Sequence, residues 1–341
     1  MATIVDVARK AGVSVSTVSY ALSGTRPVRA ETRQRILQAI EELDYHPNLL
    51  ARGLVSKRTK IIALLYPAFC GDYLDDVQLE FIASVANMAT YYRYGLLLVT
   101  SPSGEKDIQR FIKEKLVDGL VLMEVQLHDP RVALMKERGY PFSLIGHCET
   151  NEGISFVDLD FYAALQMCVN HLAGLNHQEI AFVPKFEDYA GVLLHYIIES
   201  VRGFTSTVAE LGIKGTIRGS QPTIQCGYET MMKLLDEQPG LTAVIAGSDP
   251  IYTGVIQALS ERGLVVPGDF STIGILSQRL AERYIPKVTT ITIPSDQMGR
   301  LGTEFLIKKL EGQEREPQQV ILAPELTVRQ STTKYRKRPH P

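Results

Sequence analysis

Near the amino terminus the apolar positions recur at helical spacing. Ile4, Val7, Ala8 and Ala11 share one face of a helix, and Val15, Val18, Ala21 and Leu22 share a face of a second. Between them stands Gly12-Val13-Ser14: a glycine free to take the left-handed conformation that closes the first helix, then a serine placed to cap the second. What would be one amphipathic helix is thereby cut into a helix-turn-helix, with small Ala8 where the two helices approach and Val18 filling the angle between them. Val15, Ser16 and Tyr20 are left on the outer face of the second helix. A third helix over residues 31–44, with Ile36, Leu37, Ile40 and Leu43 on one stripe, is needed to bury the pair.

Beyond Lys60 the pattern changes. IIALLYP, LLLVTS, GLVLMEV, FSLIGH, SFVDLD, IAFVP, TAVIAGS, STIGIL and TTITI are apolar runs, each separated from the next by a helical or turn segment. Runs this rich in Val, Ile and Leu suit parallel strands covered on both faces by helices. About ten strands are too many for one tidy sheet, so the pattern predicts two doubly wound subdomains side by side.

Charge separates the two regions. Residues 1–60 hold ten Lys and Arg against five acids, net +5, which leaves −7 on the rest of a 341-residue chain whose formal charge is −2. A small basic head on an acidic body points to a polyanionic partner for the head. The composition, 45% hydrophobic and 22% charged, is that of a globular protein with a full core. Neither a secretory signal nor a membrane span is read. Cys70, Cys148, Cys168 and Cys226 are scattered, with no CxxC and no His pair at metal spacing, so a reduced, cytoplasmic protein without a metal site or cofactor is expected.

The stretch TIVDVARKAGVSVSTVSYALSG, the ETR of Glu31 to Arg33, and YHPNLLARGL resemble the lactose-repressor (LacI/GalR) family of bacterial transcription regulators. VDGLVLM, VRGF, TAVIAGSD and LTVRQS extend the resemblance over essentially the whole chain. It implies an α/β protein with an N-terminal helix-turn-helix three-helix DNA-binding domain (1–46), a hinge helix and linker (47–59), and an effector-binding and dimerisation body (60–332). That body would have the type I periplasmic-binding-protein fold. Its chain would cross three times between one subdomain of about 60–159 plus 291–320 and another of about 160–290 plus 321–332. A basic tail, 333–341, is expected to be disordered.

The function implied is a homodimeric regulator, most often a repressor, that binds a pseudo-palindromic double-stranded operator and responds to a small-molecule effector. Carried over position by position, DNA contact falls on Thr3, Val15, Ser16, Thr17, Tyr20 and Arg26 in the head. In the hinge it falls on Asn48, Ala51, Leu54 and Val55. A hinge helix from Asn48 to Val55 is far below the ~12 to 15 residues that hold helicity alone, and Gly53 costs roughly 1 kcal/mol more than Ala. The resemblance implies that two such helices pair in the minor groove and wedge Leu54 between base pairs.

In open parallel sheets, ligands sit beyond the carboxyl ends of the strands. The candidates there are Phe69, Tyr73, Glu124, His147, Asp160, Lys185, Ser248 and Asp249. Phe161, Ser200 and Leu276 stand where sugar-responsive members carry an amide or acid, an arginine and an acid. The effector is therefore expected to be less polar than a monosaccharide, or an anion reading Lys185, or to have been lost, leaving a constitutive DNA-binding regulator. No GxGxxG after a strand, GxxxxGK[ST], HExxH or GxSxG occurs, so an enzyme is not expected.

Overall fold

A computed structural model describes residues 2–23, 26–45, 58–67, 74–100, 104–185, 194–314 and 316–336. They fall into two compact units, residues 1–61 with 110–118 and residues 62–109 with 119–341. The hinge candidates Asn48, Ala51, Leu54 and Val55, and the effector candidates Phe69 and Tyr73, lie outside the described residues.

In the first unit α1 (Ile4–Ala11), α2 (Val15–Ser23) and α3 (Ala30–Glu42) enclose Val7, Ala8, Ala11, Val18, Ile36, Ala39 and Tyr45. Gly12 ends α1 in the left-handed region at φ +67°, and Val13 N–H returns to Ala8 O at 3.0 Å. Ser14 Oγ accepts from Thr17 N–H at 3.2 Å, so the cut in the helix is made by the residues whose chemistry required it. Leu37 departs from the expected stripe. It is 52% exposed, and Ala39 takes a place in the core instead, because α3 turns its Ile36–Ala39–Ile40 edge inward.

In the second unit two six-stranded sheets repeat one plan. The first runs β11-β5-β4-β3-β1-β2, built from β1 (Ile61–Leu65), β2 (Gly95–Val99), β3 (Gly119–Leu122), β4 (Phe142–Ile145), β5 (Phe156–Leu159) and β11 (Gln319–Leu322). The second runs β12-β10-β9-β8-β6-β7, with β6 (Glu179–Val183), β7 (Lys214–Ile217), β8 (Ala243–Ala246), β9 (Ser271–Leu276), β10 (Thr289–Thr292) and β12 (Leu326–Thr327). Strand β12 alone pairs antiparallel among the registers described. The chain changes sheet after β5, after β10 and after β11. The expected crossings at 290 and 320 fall inside β10 and β11, whose ladders with β9 and β5 move each change of sheet to the strand's end.

Between the strands lie α4 (Asp76–Tyr91), α5 (Glu105–Glu114), α6 (Pro130–Glu137), α7 (Phe161–Gly174), α8 (His195–Leu211), α9 (Ile224–Glu237), α10 (Asp249–Glu261), α11 (Gln278–Arg283) and α12 (Ser295–Leu310). Their starts follow from side-chain caps. Asp75 and Gln78 form a capping box on α4, Asp129 precedes Pro130 on α6, and Thr223 accepts from Cys226 N–H on α9. The start of the expected disordered tail is held instead. Thr333 N–H donates to Ser271 Oγ at 3.1 Å and Tyr335 N–H to Leu175 O at 2.8 Å.

Candidate functional site

The head presents α2. Its apolar side goes inward through Val18, while Ser14, Val15 and Ser16 are exposed and Thr17 and Tyr20 are half-buried. The α2 segment bears no charged side chain, and exposed Arg9, Arg26 and Arg29 lie near its two ends in the chain. The Arg26 guanidinium lies 5.1 Å from the centre of the Tyr20 ring, so two of the expected contacts share one place. Ser14 Oγ is 2.8 Å from both Ser16 Oγ and Thr17 Oγ1, which sets those hydroxyls at the start of α2. Thr3 caps α1 in a capping box with Asp6. Arg29 stands at the N-cap of α3 and makes no side-chain cap.

In the body, each sheet reverses its strand order once, between β1 and β3 and between β6 and β8, and these switch points are where doubly wound sheets bind ligands. Tyr66 and Glu124 follow β1 and β3; Lys185 and Ser248-Asp249 follow β6 and β8. Between the two sets is a cavity of about 110 Å³, lined among others by Phe81, Met123, Ile145, Phe161, Phe182 and Ile293. Of the described candidates, Glu124, His147, Lys185, Ser248 and Asp249 line it. Asp160 does not. Its Oδ1 accepts from Ala163 N–H at 2.9 Å, capping α7, and the residue borders a separate cavity.

Glu124 is the polar centre. Lys185 Nζ lies 3.0 Å from its Oε1, and the hydroxyls of Tyr66 and Tyr196 donate to its two oxygens at 3.3 Å each. Its backbone has φ +49°, and Arg131 Nη2 holds its carbonyl at 2.7 Å. Arg131 is itself buried in an ion pair with Asp129 at 2.6 Å. Burial pulls the Lys185 ammonium toward neutrality, yet the Glu124 carboxylate and the two phenols outweigh it and leave Lys185 well above its ordinary value. Burial and the same carboxylate push Tyr66 well up. An anion reading Lys185 would therefore have to share that ammonium with Glu124.

Elsewhere on the cavity wall, after β8, two polar atoms are left over. Ser248 Oγ and Asp249 Oδ2 are buried with no hydrogen-bond partner. Burial, aided by Asp75, pushes the Asp249 carboxyl up to about 7. Such a group carries no penalty when protonated in both states. It costs stability progressively as pH rises from the ordinary carboxylate value to about 7, and by a constant amount above. Asp249→Asn is therefore expected to stabilise the ligand-free protein above pH 7 by up to about 4 kcal/mol, seen as a higher melting temperature, with the gain fading toward about pH 4. Thermal unfolding across that range checks it, and a gain independent of pH would mean that the carboxyl ionises where it stands.

Several contributors escaped the sequence reading, Tyr66 after β1 among them. Asp158 did carry a signal, an acid inside the apolar run SFVDLD, which a buried strand tolerates only with a partner. His147 Nδ1, 2.7 Å from its Oδ2, is that partner. His195 and Tyr196 open α8 and no spacing rule marked them.

The residue 3–48 segment matches the model for bacterial regulatory proteins of the lacI family, and 169–332 matches a periplasmic binding protein-like domain. Catabolite control protein A of Priestia megaterium is 31% identical over 338 residues, covering 97% of this chain and 99% of that one. The HTH-type transcriptional repressor PurR of Escherichia coli O1:K1 / APEC is 31% identical over 342 residues, covering 97% of each. Among solved structures, a transcriptional regulator CelR–cellobiose complex superposes with a TM-score of 0.72 at 26% identity, covering 97% of this chain and all of that one. A lac repressor dimer bound to operator and the anti-inducer ONPF reaches 0.82 at 23% identity over 97% and 99%, a likeness of fold. No helix among the described residues is long and apolar enough to cross a membrane. With a head of three helices turned around Gly12 and a body of two doubly wound sheets, this chain belongs to the lacI family of bacterial regulatory proteins and is a transcriptional regulator.

Proposed function

We propose that the protein is a cytoplasmic, homodimeric repressor, without enzymatic activity, whose paired heads read a pseudo-palindromic operator and whose cleft binds a small, largely apolar effector bearing a hydrogen-bond donor. The observation that carries the DNA half is the exposed, uncharged Val15-Ser16 face of α2, flanked by arginines in a head of net charge +5. Two such heads related by a two-fold axis place their reading helices in successive major grooves, roughly 34 Å apart before bending. The lac repressor structure is of a dimer bound to operator and an anti-inducer, and the CelR structure is of a complex with cellobiose, which supports the same arrangement here.

For the effector, a cavity of about 110 Å³ is of the order of one that holds a single small ring. Its walls are mainly apolar, and Ser248 Oγ and Asp249 Oδ2 face it without partners, which supports a donor-bearing ligand over a cleft that no longer binds anything. The test is selection of bound duplexes from a random library at low ionic strength, with and without metabolite extract. A two-fold symmetric consensus is expected; no enrichment would end the reading.

Substitution at Val15 and Ser16 should re-rank the selected sites. Arg26→Ala should weaken all sequences alike and lower the salt slope by about one. Identical ranked sites for the Val15 and Ser16 variants would show that this face does not read bases.

A further inference from the structure

His147 follows β4, Asp158 lies within β5, and His195 opens α8, so the fold brings together three side chains that no sequence spacing connects. One ligand atom from each lies within 4.8 Å of the other two. The His147 and His195 rings meet with centroids 3.8 Å apart, and Phe156 stacks on His147 at 5.1 Å. Asp158 Oδ1 is taken by Leu159 N–H at 2.7 Å, which leaves Oδ2 for His147. His195 is only 7% exposed, yet its Nδ1 has no hydrogen-bond partner. A buried imidazole nitrogen normally finds a donor or acceptor, and the ring that carries this one is packed beside another imidazole and a carboxylate.

We propose that His147, Asp158 and His195 form a binding site for a divalent transition-metal ion of the zinc type. Two imidazole nitrogens and one carboxylate oxygen are a donor set that such ions favour and that magnesium and calcium do not. The ion takes the position between His147 Nδ1 and Asp158 Oδ2, and the imidazole binds it through Nδ1 as a neutral ligand with its hydrogen on Nε2. The fourth position is left to water. The same three residues border both the effector cavity and a side cavity of about 280 Å³, which also carries Asp160 and Glu199 and gives the ion a way in past carboxylates. His147 and Asp158 belong to the first sheet's layer and His195 to the second's, so the ion ties the two together across the cleft.

The experiment is titration of chelator-stripped full-length protein with Zn²⁺ against a competing chelator. It is expected to give one ion per chain. His147→Gln and His195→Gln should each weaken binding by at least roughly tenfold, and His195→Gln, which removes no partner of Asp158, should keep the parent's metal-free melting curve. Cys148→Ser, which removes the neighbouring thiol, should leave affinity unchanged. The Co²⁺ spectrum of the unaltered protein decides independently of any variant: visible bands of a four-coordinate ion without a thiolate charge-transfer band are expected. Absence of saturable Zn²⁺ binding, a thiolate band, or affinity indifferent to both histidine substitutions would overturn the site.

Discussion

Glu124→Gln is expected to destabilise the protein by about 3 to 5 kcal/mol, because it strips the carboxylate from a largely buried ammonium. Lys185 and Glu124 are 16% and 8% exposed at their side chains and 3.0 Å apart. The amide that remains can still accept from Tyr66 and Tyr196 but offers no charge. The double replacement Glu124→Leu with Lys185→Met should recover much of the loss, since an apolar pair of similar volume does without both desolvation penalties. Chemical unfolding of Glu124→Leu, Lys185→Met and the double forms the cycle. A near-neutral single replacement would mean that the pair behaves as a solvated surface bridge. Glu124 ends a strand of the first sheet and Lys185 one of the second, so the cycle also measures what holds the cleft together.

Gly254→Ala is expected to cost about 3 kcal/mol for a different reason, the absence of any room for a methyl group. A Cβ at Gly254 would stand 2.1 Å from Ile224 O and 2.5 Å from Tyr228 N, and one at Gly227 would stand 2.7 Å from Ile251 O. Helices α9 and α10 thus touch backbone to backbone through reciprocal glycines, and neither can yield by rotating a side chain. Gly263→Ala is the control. It has φ +68° with nothing within 4 Å of its Cβ, so its cost should stay near the roughly 1 to 2 kcal/mol of a left-handed backbone. Equal costs at the two positions would show that α9 and α10 can separate.

These two sites mark the limit of what the chain discloses. The helix-turn-helix was legible because Gly12 and Ser14 act on their immediate neighbours, and the strand runs because Val, Ile and Leu buried on both faces leave a local pattern. The run KGTI was missed since β7 is an edge strand and mostly exposed; QVIL in β11 is likewise an edge. Leu37 was misplaced since a thirteen-residue helix offers two plausible apolar edges and the choice is made by α1. In the cleft, strand ends predicted Glu124, His147, Lys185, Ser248 and Asp249, but Asp160 was lost to a local demand, the cap of α7. Asp158 and His195 matter through partners distant in sequence, and pairing of that kind leaves no trace in spacing.

The order of strands in the first sheet bears on the birth of the protein. Strand β5 is flanked by β11, and Ser155 Oγ accepts from Gln318 N–H, 163 residues later. During synthesis the head can close around Val7, Val18 and Ile36 as soon as its own short span emerges, whereas neither sheet of the body has its full complement of strands until the ribosome has nearly finished. A reading head thus exists on the nascent chain well before the part that governs it.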